Sequence, residues 1–309
     1  MQPMRPAGQL KQTARNGSFE YNCRAKKRMA LEPSYDPRDL RIGCAGWSVP
    51  RIKLFEPSLG RSHLERYAGV FNACEINSSF YRPHKIETWE RWGDSVPSGF
   101  RFSVKAPRTI THESSLNCGP ELLTPFLRQI AFLKDKLGPI LFQLPPSLEY
   151  EAVRTRRFLG LLRQSYWGDV VWEPRHPSWF LEEVDDLMEE FRIGRVAADP
   201  ACVPSAALPG GLSSLVYFRL HGSPRKYYSS YSDDFLSLLA QQCASQAMDA
   251  QTWVIFDNTA AGFAISNAMT LREMLSISNG TSNGRPANSS AAPRLSLRGI
   301  NTPGAMKSG

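Results

Sequence analysis

Eight short apolar runs, most of them closed by a polar or charged residue, constrain the fold of this chain more than any other feature. They occupy residues 40–47, 73–81, 101–106, 139–144, 169–173, 195–199, 214–221 and 251–258, and helix-length segments separate most neighbours. Strand alternating with helix eight times predicts an α/β fold, a single (β/α)8 TIM-like barrel. The alternation within each run assigns its faces. In the seventh, Val216, Phe218 and Leu220 suit the helix layer, while Tyr217, Arg219 and His221 suit the barrel axis. The same reading sets Phe102 and Val104 outward against Ser103 and Lys105, and Ile140, Phe142 and Leu144 against Leu141 and Gln143. Val170 and Trp172 likewise oppose Val171 and Glu173.

Helices are expected over 63–70, capped by Ser62, and over 86–92, 120–136, 151–166, 180–191, 233–248 and 262–275. Residues 200–212, rich in Pro, Gly and Ala, read as a loop with little helix. The barrel is thus expected at 41–275, flanked by tails at 1–40 and 276–309 that are too polar to offset the entropy of ordering. The net charge of +8 belongs to those tails. The first forty residues hold eight Lys/Arg and four Asp/Glu, the last stretch from Ser276 four and none, and 41–275 balances at 25 each. A neutral barrel argues against a nucleic-acid enzyme, although the basic cluster Arg24-Ala25-Lys26-Lys27-Arg28 keeps a tethered nucleic-acid role open as an alternative.

No apolar stretch reaches the roughly 18 residues needed to cross a membrane, so no membrane partner is expected. The start lacks the apolar core of a secretory signal, and a transit peptide stays as an alternative. The six cysteines form neither a C-x-x-C pair nor a disulfide framework, so the expected location is a reducing compartment, the cytoplasm. The sequence leaves the oligomeric state open.

Active sites of such barrels gather at the C-terminal strand ends. Those ends supply Glu75, Lys105, Gln143, Glu173, Asp199, Arg219, His221 and Asn258. A purely structural barrel fills its interior with branched apolar side chains, so several converging charges point to a ligand site. Glu173 sits in Trp172-Glu173-Pro174-Arg175-His176-Pro177, where the prolines stiffen the turn that presents it. Glu173, His221 and His112, the last in a loop after the third strand, are the acid/base candidates. Glu75, Lys105, Gln143, Arg175, His176, Asp199, Arg219 and Asn258 are the substrate-binding candidates. Lys105 and Arg219 in the mouth oppose a divalent metal and favour a phosphate-like anion, and no cofactor is predicted. Each of these charges has a plainer alternative as one half of a buried structural pair.

Taken in order, Gly43–Trp47, Glu75-Ile76-Asn77-Ser78-Ser79-Phe80-Tyr81, Lys105 with Thr111-His112, Gln143-Leu144-Pro145-Pro146, Glu173-Pro174-Arg175-His176-Pro177-Ser178-Trp179, Asp199-Pro200, Arg219-Leu220-His221-Gly222 and Asn258 resemble the motifs of the YecE-like family. That family is also called domain of unknown function 72. The resemblance implies a TIM barrel across nearly the whole middle of the chain, and it implies no established reaction. One departure is Asp257, which stands where the family commonly has Asn. The reading that joins both lines is a barrel enzyme using acid/base chemistry on a small polar molecule, anionic or sugar-like. The alternative is a barrel that binds a small ligand without turning it over.

Overall fold

A computed structural model of the chain describes residues 40–48, 55 and 60–281, with side chains to residue 276. Of the expected tails at 1–40 and 276–309, residues 1–39 and 282–309 lie outside the described residues. Within them run ten strands: β1 Leu40–Ala45, β2 Ala73–Ile76, β3 Arg101–Lys105, β4 Leu137–Gln143, β5 Val170–Glu173, β6 Ile193–Arg195, β7 Ala197–Asp199, β8 Gly210–Gly211, β9 Leu215–Leu220 and β10 Gln251–Phe256. They form one sheet in the order β7-β9-β10-β1-β2-β3-β4-β5-β6-β8, parallel except for β8 against β6. β6 and β7 stand near opposite ends of that order yet follow one another in the chain with only Val196 between them. The Val196 N–H donates to the Trp172 carbonyl at 2.9 Å, so the sheet curls into a nearly closed barrel.

The helices are α1 His63–Ala68, α2 Ser78–Tyr81, α3 Ile86–Asp94, α4 Pro120–Ile130, α5 Ala152–Ser165, α6 Glu182–Glu190, α7 Asp233–Gln246 and α8 Phe263–Thr281. Local chemistry sets their ends. Ser62 Oγ accepts from the Glu65 N–H at 3.1 Å while Glu65 Oε2 accepts from the Ser62 N–H at 2.8 Å, a reciprocal cap that starts α1. Glu151 accepts from the N–H groups of Val153 and Arg154 and starts α5 in the same way. α8 runs past the expected end at 275, so the proposed tail boundary at 276 falls inside a helix.

The strands pack two layers, as their alternation predicts. Outward residues such as Val104, Phe142, Trp172, Phe218 and Leu220 join the large core beneath the helices. Inward residues Ala73, Leu141, Val171, Val196, Ala198, Leu215, Tyr217, Trp253 and Ile255 fill the barrel itself. This plug leaves the C-terminal ends of the strands to carry the polar groups.

The sixth position departs from a regular eightfold repeat. Its expected strand, 195–199, is two short strands, and no α-helix follows it. A single 3-10 turn, Pro204–Ala207, leads instead to β8. Gly211 has φ +62°, and a Cβ there would lie 2.4 Å from the Ile193 carbonyl oxygen, so only glycine lets β8 close on β6.

Candidate active site

Strand pleating aims Glu75 of β2, Ser103 and Lys105 of β3, Gln143 of β4, Glu173 of β5 and Tyr217 and Arg219 of β9 into the barrel above the apolar plug. His221 and Asp257 follow immediately after β9 and β10 on the same inward face. The pairing of β4 with β5 and of β9 with β10 sets Gln143 beside Glu173 and Ile255 beside Arg219. The sheet therefore fixes the spacing of these groups.

Arg219 is the centre. Its Nη2 lies 2.7 Å from Glu75 Oε1 and its Nε 3.0 Å from Glu75 Oε2, a forked pair. The same guanidinium reaches Glu173 Oε2 at 3.3 Å and Asp257 Oδ2 at 3.0 Å. Burial works against its charge, yet Asp257, Glu75 and Glu173 together hold its pKa well above the usual arginine value. Tyr217 adds a hydrogen bond from its hydroxyl to Glu75 Oε2 at 2.8 Å and stands 3.0 Å from Ser103 Oγ.

His221 bridges two carboxyl groups. Its Nε2 is 2.8 Å from Glu173 Oε1 and its Nδ1 3.0 Å from Asp257 Oδ2. Glu173 also accepts from Gln143 Nε2 at 3.0 Å and from Arg175 Nη1 at 3.2 Å. Burial pushes the Glu173 and Asp257 carboxyls up. Their contacts with His221 and Arg219, for Glu173, and with Arg219 and His221, for Asp257, outweigh it and hold both below the ordinary range. Glu75, Glu173, Arg219 and His221 are fully enclosed, each at 0% exposure. Lys105, Gln143 and Asp257 form the fringe above them, at 7–8%.

Lys105 differs from every other charge here. Among the described residues its ammonium makes no hydrogen bond and no ion pair, and its Nζ lies 4.1 Å above the Phe80 ring. Burial and the Arg219 charge lower its pKa to about 8, against the pull of Glu75, Glu173 and Asp257. His112 sits on a π-helical turn, Thr109–Glu113, with its ring centroid 5.0 Å from that of the same Phe80 and its Nδ1 2.8 Å from Thr111 Oγ1. Burial and the charge of Lys105 lower the His112 pKa.

Three sequence candidates stand elsewhere. Asp199 follows the outward parity of Ala197, and its Oδ1 accepts from the Tyr231 hydroxyl at 2.8 Å. Asn258 is one residue past the inward Asp257, and its amide donates to Asn267 of α8 at 2.8 Å and to the Ser229 carbonyl at 2.9 Å. His176 accepts from the Ser178 N–H and caps the 3-10 turn Pro177–Trp179. The residue that the candidate list lacked is Asp257. Its signal was the period of two through Trp253 and Ile255, together with its standing as an acid where the family commonly has an amide.

Comparison with known proteins places this arrangement. The family described as "Protein of unknown function DUF72" matches residues 41–292. The chain is 34% identical over 171 residues to UPF0759 protein YecE of Escherichia coli (strain K12), which spans 53% of this chain and 61% of that protein. It is 24% identical over 281 residues to UPF0759 protein YunF of Bacillus subtilis (strain 168), covering 76% of this chain and 94% of the relative. The chain thus spans less than two thirds of the length of the E. coli relatives it matches, 61% and 49%. Among solved structures, a DUF72 family protein from Thermotoga maritima MSB8 superposes with a TM-score of 0.66 at 26% identity, covering 77% of this chain and 99% of its own. A DUF72 family protein from Enterococcus faecalis V583 gives 0.65 at 21% identity, covering 77% and 95%, and supports the fold.

Proposed function

We propose a function for this chain, which belongs to the DUF72 family of proteins of unknown function: an enzyme that uses acid/base chemistry on a small anionic molecule held at the C-terminal mouth of its barrel. The observation that carries the reading is the contrast between Lys105 and its surroundings. Every acidic group beneath it is committed to a partner, whereas its own ammonium is enclosed and unpaired among the described residues. An isolated buried charge is costly, and a bound anion would remove that cost.

Roles follow from exposure and partners. Lys105 and Arg175 bind the anionic group. Gln143 orients the substrate beside them, and His112 serves as a second proton-exchanging group at the rim. Glu173, His221 and Asp257 form a chain in which a proton taken at one carboxyl can leave at the other through the imidazole. Arg219 was expected to hold negative charge on the substrate. Its enclosure by Glu75, Glu173 and Asp257 instead suits it to fixing the floor of the mouth. The buried free thiols Cys44, Cys74, Cys118 and Cys243 suit a reducing compartment, so the proposed location is the cytoplasm.

One observation favours a second reading. Glu173 is saturated by Gln143, Arg175, Arg219 and His221, as a structural carboxylate in a non-catalytic binding barrel would be. Thermal stabilisation by malonate, inorganic phosphate and the neutral polyol myo-inositol tests the anion reading. Malonate or phosphate should raise the melting temperature of the parent protein and fail to do so in Lys105→Met and Arg175→Gln. Stabilisation by myo-inositol alone, or by anions equally in both variants, would reject it. Once a substrate is found, loss of turnover with retained binding in Glu173→Gln separates the enzyme from the binder.

A further inference from the structure

We infer that Lys105 is an amine nucleophile, and that the molecule it takes is a small carbonyl compound bearing an anionic group, which it captures as a Schiff base. This rests on the anionic-substrate reading above and adds the substrate class and the reacting atom.

The argument begins with what the fold does not do with Lys105. A lysine kept for structure in a barrel interior would be paired with a carboxylate. Three carboxyl groups lie close enough to influence it, Glu75, Glu173 and Asp257, yet Arg219, Arg175, Gln143, Tyr217 and His221 occupy their oxygens. The ammonium is left against the face of Phe80, whose ring tolerates the cation and equally tolerates the neutral amine. Its backbone, by contrast, is fixed. The Lys105 carbonyl accepts from Ser79 Oγ at 2.7 Å, and the next N–H, of Ala106, donates to the Leu141 carbonyl at 2.8 Å. A pinned main chain with an enclosed amine at its tip, unpaired among the described residues, is the arrangement that a covalent lysine needs.

The protonation balance agrees. With a pKa of about 8, roughly a tenth of Lys105 is free amine at neutral pH, against fewer than about one in a thousand for an ordinary lysine. The nitrogen lone pair attacks the carbonyl carbon as the C=O π pair moves to oxygen, which takes a proton. The resulting carbinolamine loses its N–H proton, takes a second proton on oxygen and expels water as the C=N bond forms. The net change is one ammonium and one carbonyl giving one protonated imine and one water, with no oxidant or reductant. His112, against the same Phe80 ring, is placed to supply and recover the proton on oxygen. The protonated imine then acidifies the neighbouring C–H bond, which gives the Glu173–His221–Asp257 chain a proton to accept. Arg175, held at Glu173, is the counter-ion for the substrate's anionic group.

The test is reductive trapping on the full-length protein. The protein is incubated near pH 7.5 with glyoxylate or pyruvate, reduced with cyanoborohydride, digested and mapped by mass spectrometry. The reduced adduct should be enriched on Lys105 by at least about tenfold over the exposed Lys85 and Lys134. Lys85 and Lys134 serve as internal comparisons, so the mapping does not depend on any variant folding. An adduct spread over exposed lysines with no enrichment at Lys105 overturns the inference. A parallel melt with malonate, which has no ketone or aldehyde carbonyl, separates the two levels. Lys105-dependent malonate stabilisation without a Lys105 adduct rejects the covalent step and leaves the anion reading standing. Absence of both rejects both.

Discussion

Replacing Arg219 with leucine removes a group that touches three carboxyl side chains at once. The lost contacts are the fork on Glu75 at 2.7 and 3.0 Å, the 3.3 Å approach to Glu173 and the 3.0 Å approach to Asp257. Breaking a buried pair by deleting one partner costs about 3–5 kcal/mol, because the other charge stays buried without compensation. Arg219 and Glu75 are both fully enclosed, so little solvent screening reduces that figure here. Domains of this kind have about 5–15 kcal/mol in all, so Arg219→Leu should remain folded only marginally at pH 7. With a urea slope of about 3 kcal/mol/M at most for a small domain, the midpoint should fall by more than about 1 M. The loss should also depend on pH. In the parent protein Glu173 and Asp257 have depressed pKa values, so their contribution is full above the unfolded carboxylate range and fades as pH drops through the depressed values. Without Arg219 the depression weakens, through the loss of the leading favourable charge at Asp257 and one of several at Glu173, so the variant takes up protons earlier than the parent does. The gap between them should therefore narrow from about pH 7 to about pH 5. Urea titrations followed by tryptophan fluorescence at both pH values measure it. A gap below about 1 kcal/mol at pH 7, or one equal at both pH values, would refute the ion-network account.

Other outcomes follow from the same geometry. Leu220→Asp places a charge in the outward core layer at a position 2% exposed and should cost more than about 3 kcal/mol; a near-normal melt would show that the strand faces are misassigned. Tyr217→Phe removes the hydroxyl bound to Glu75 and should destabilise by about 1–3 kcal/mol in denaturant titration, an unchanged midpoint contradicting that bond. Malonate binding followed calorimetrically should weaken as pH rises through about 8, because Lys105 then loses its charge. Arg219 and burial favour that loss, Glu75, Glu173 and Asp257 oppose it, and His112, with its lowered pKa, is already neutral in that range. Affinity that stays flat from about pH 7 to about pH 9 would remove Lys105 from the site.

The barrel was legible in the sequence because period-two alternation survives in most runs. Val216, Phe218 and Leu220 face the helices and Tyr217, Arg219 and His221 face the axis by the same count that the strand obeys. The sixth run misleads because charge there does not mark the inward face. Arg195 is turned outward to pair with Asp185 of α6 at 2.6 and 2.9 Å, and Asp199 shares its parity. Asp185 of α6 satisfies Arg195 and the Tyr231 hydroxyl satisfies Asp199, and no local pattern announces either partner. Asn258 misled by one residue for the same reason, since a polar pair at a strand end leaves open which member turns inward. α2 and the π-helical turn carrying His112 are too short to leave a periodic signature. The convergence of Glu75, Glu173, Asp257 and Arg219 rests on contacts between strands far apart in the chain. The sequence shows the charges at the strand ends, while their division into partnered acids and a lysine unpaired among the described residues emerges only in three dimensions.

The central claim is that this mouth turns over a small anionic molecule. Its most direct measurement is the fate of a small-molecule extract incubated with the full-length protein and followed by untargeted mass spectrometry. The parent protein and the surface control Glu190→Gln, altered at the exposed pair with Arg156, should both consume the same small anion. Lys105→Met and Glu173→Gln should leave that anion untouched while keeping their melting transitions. An extract that the parent protein leaves unchanged, or consumption that survives Glu173→Gln and Lys105→Met, would contradict an enzyme at this site.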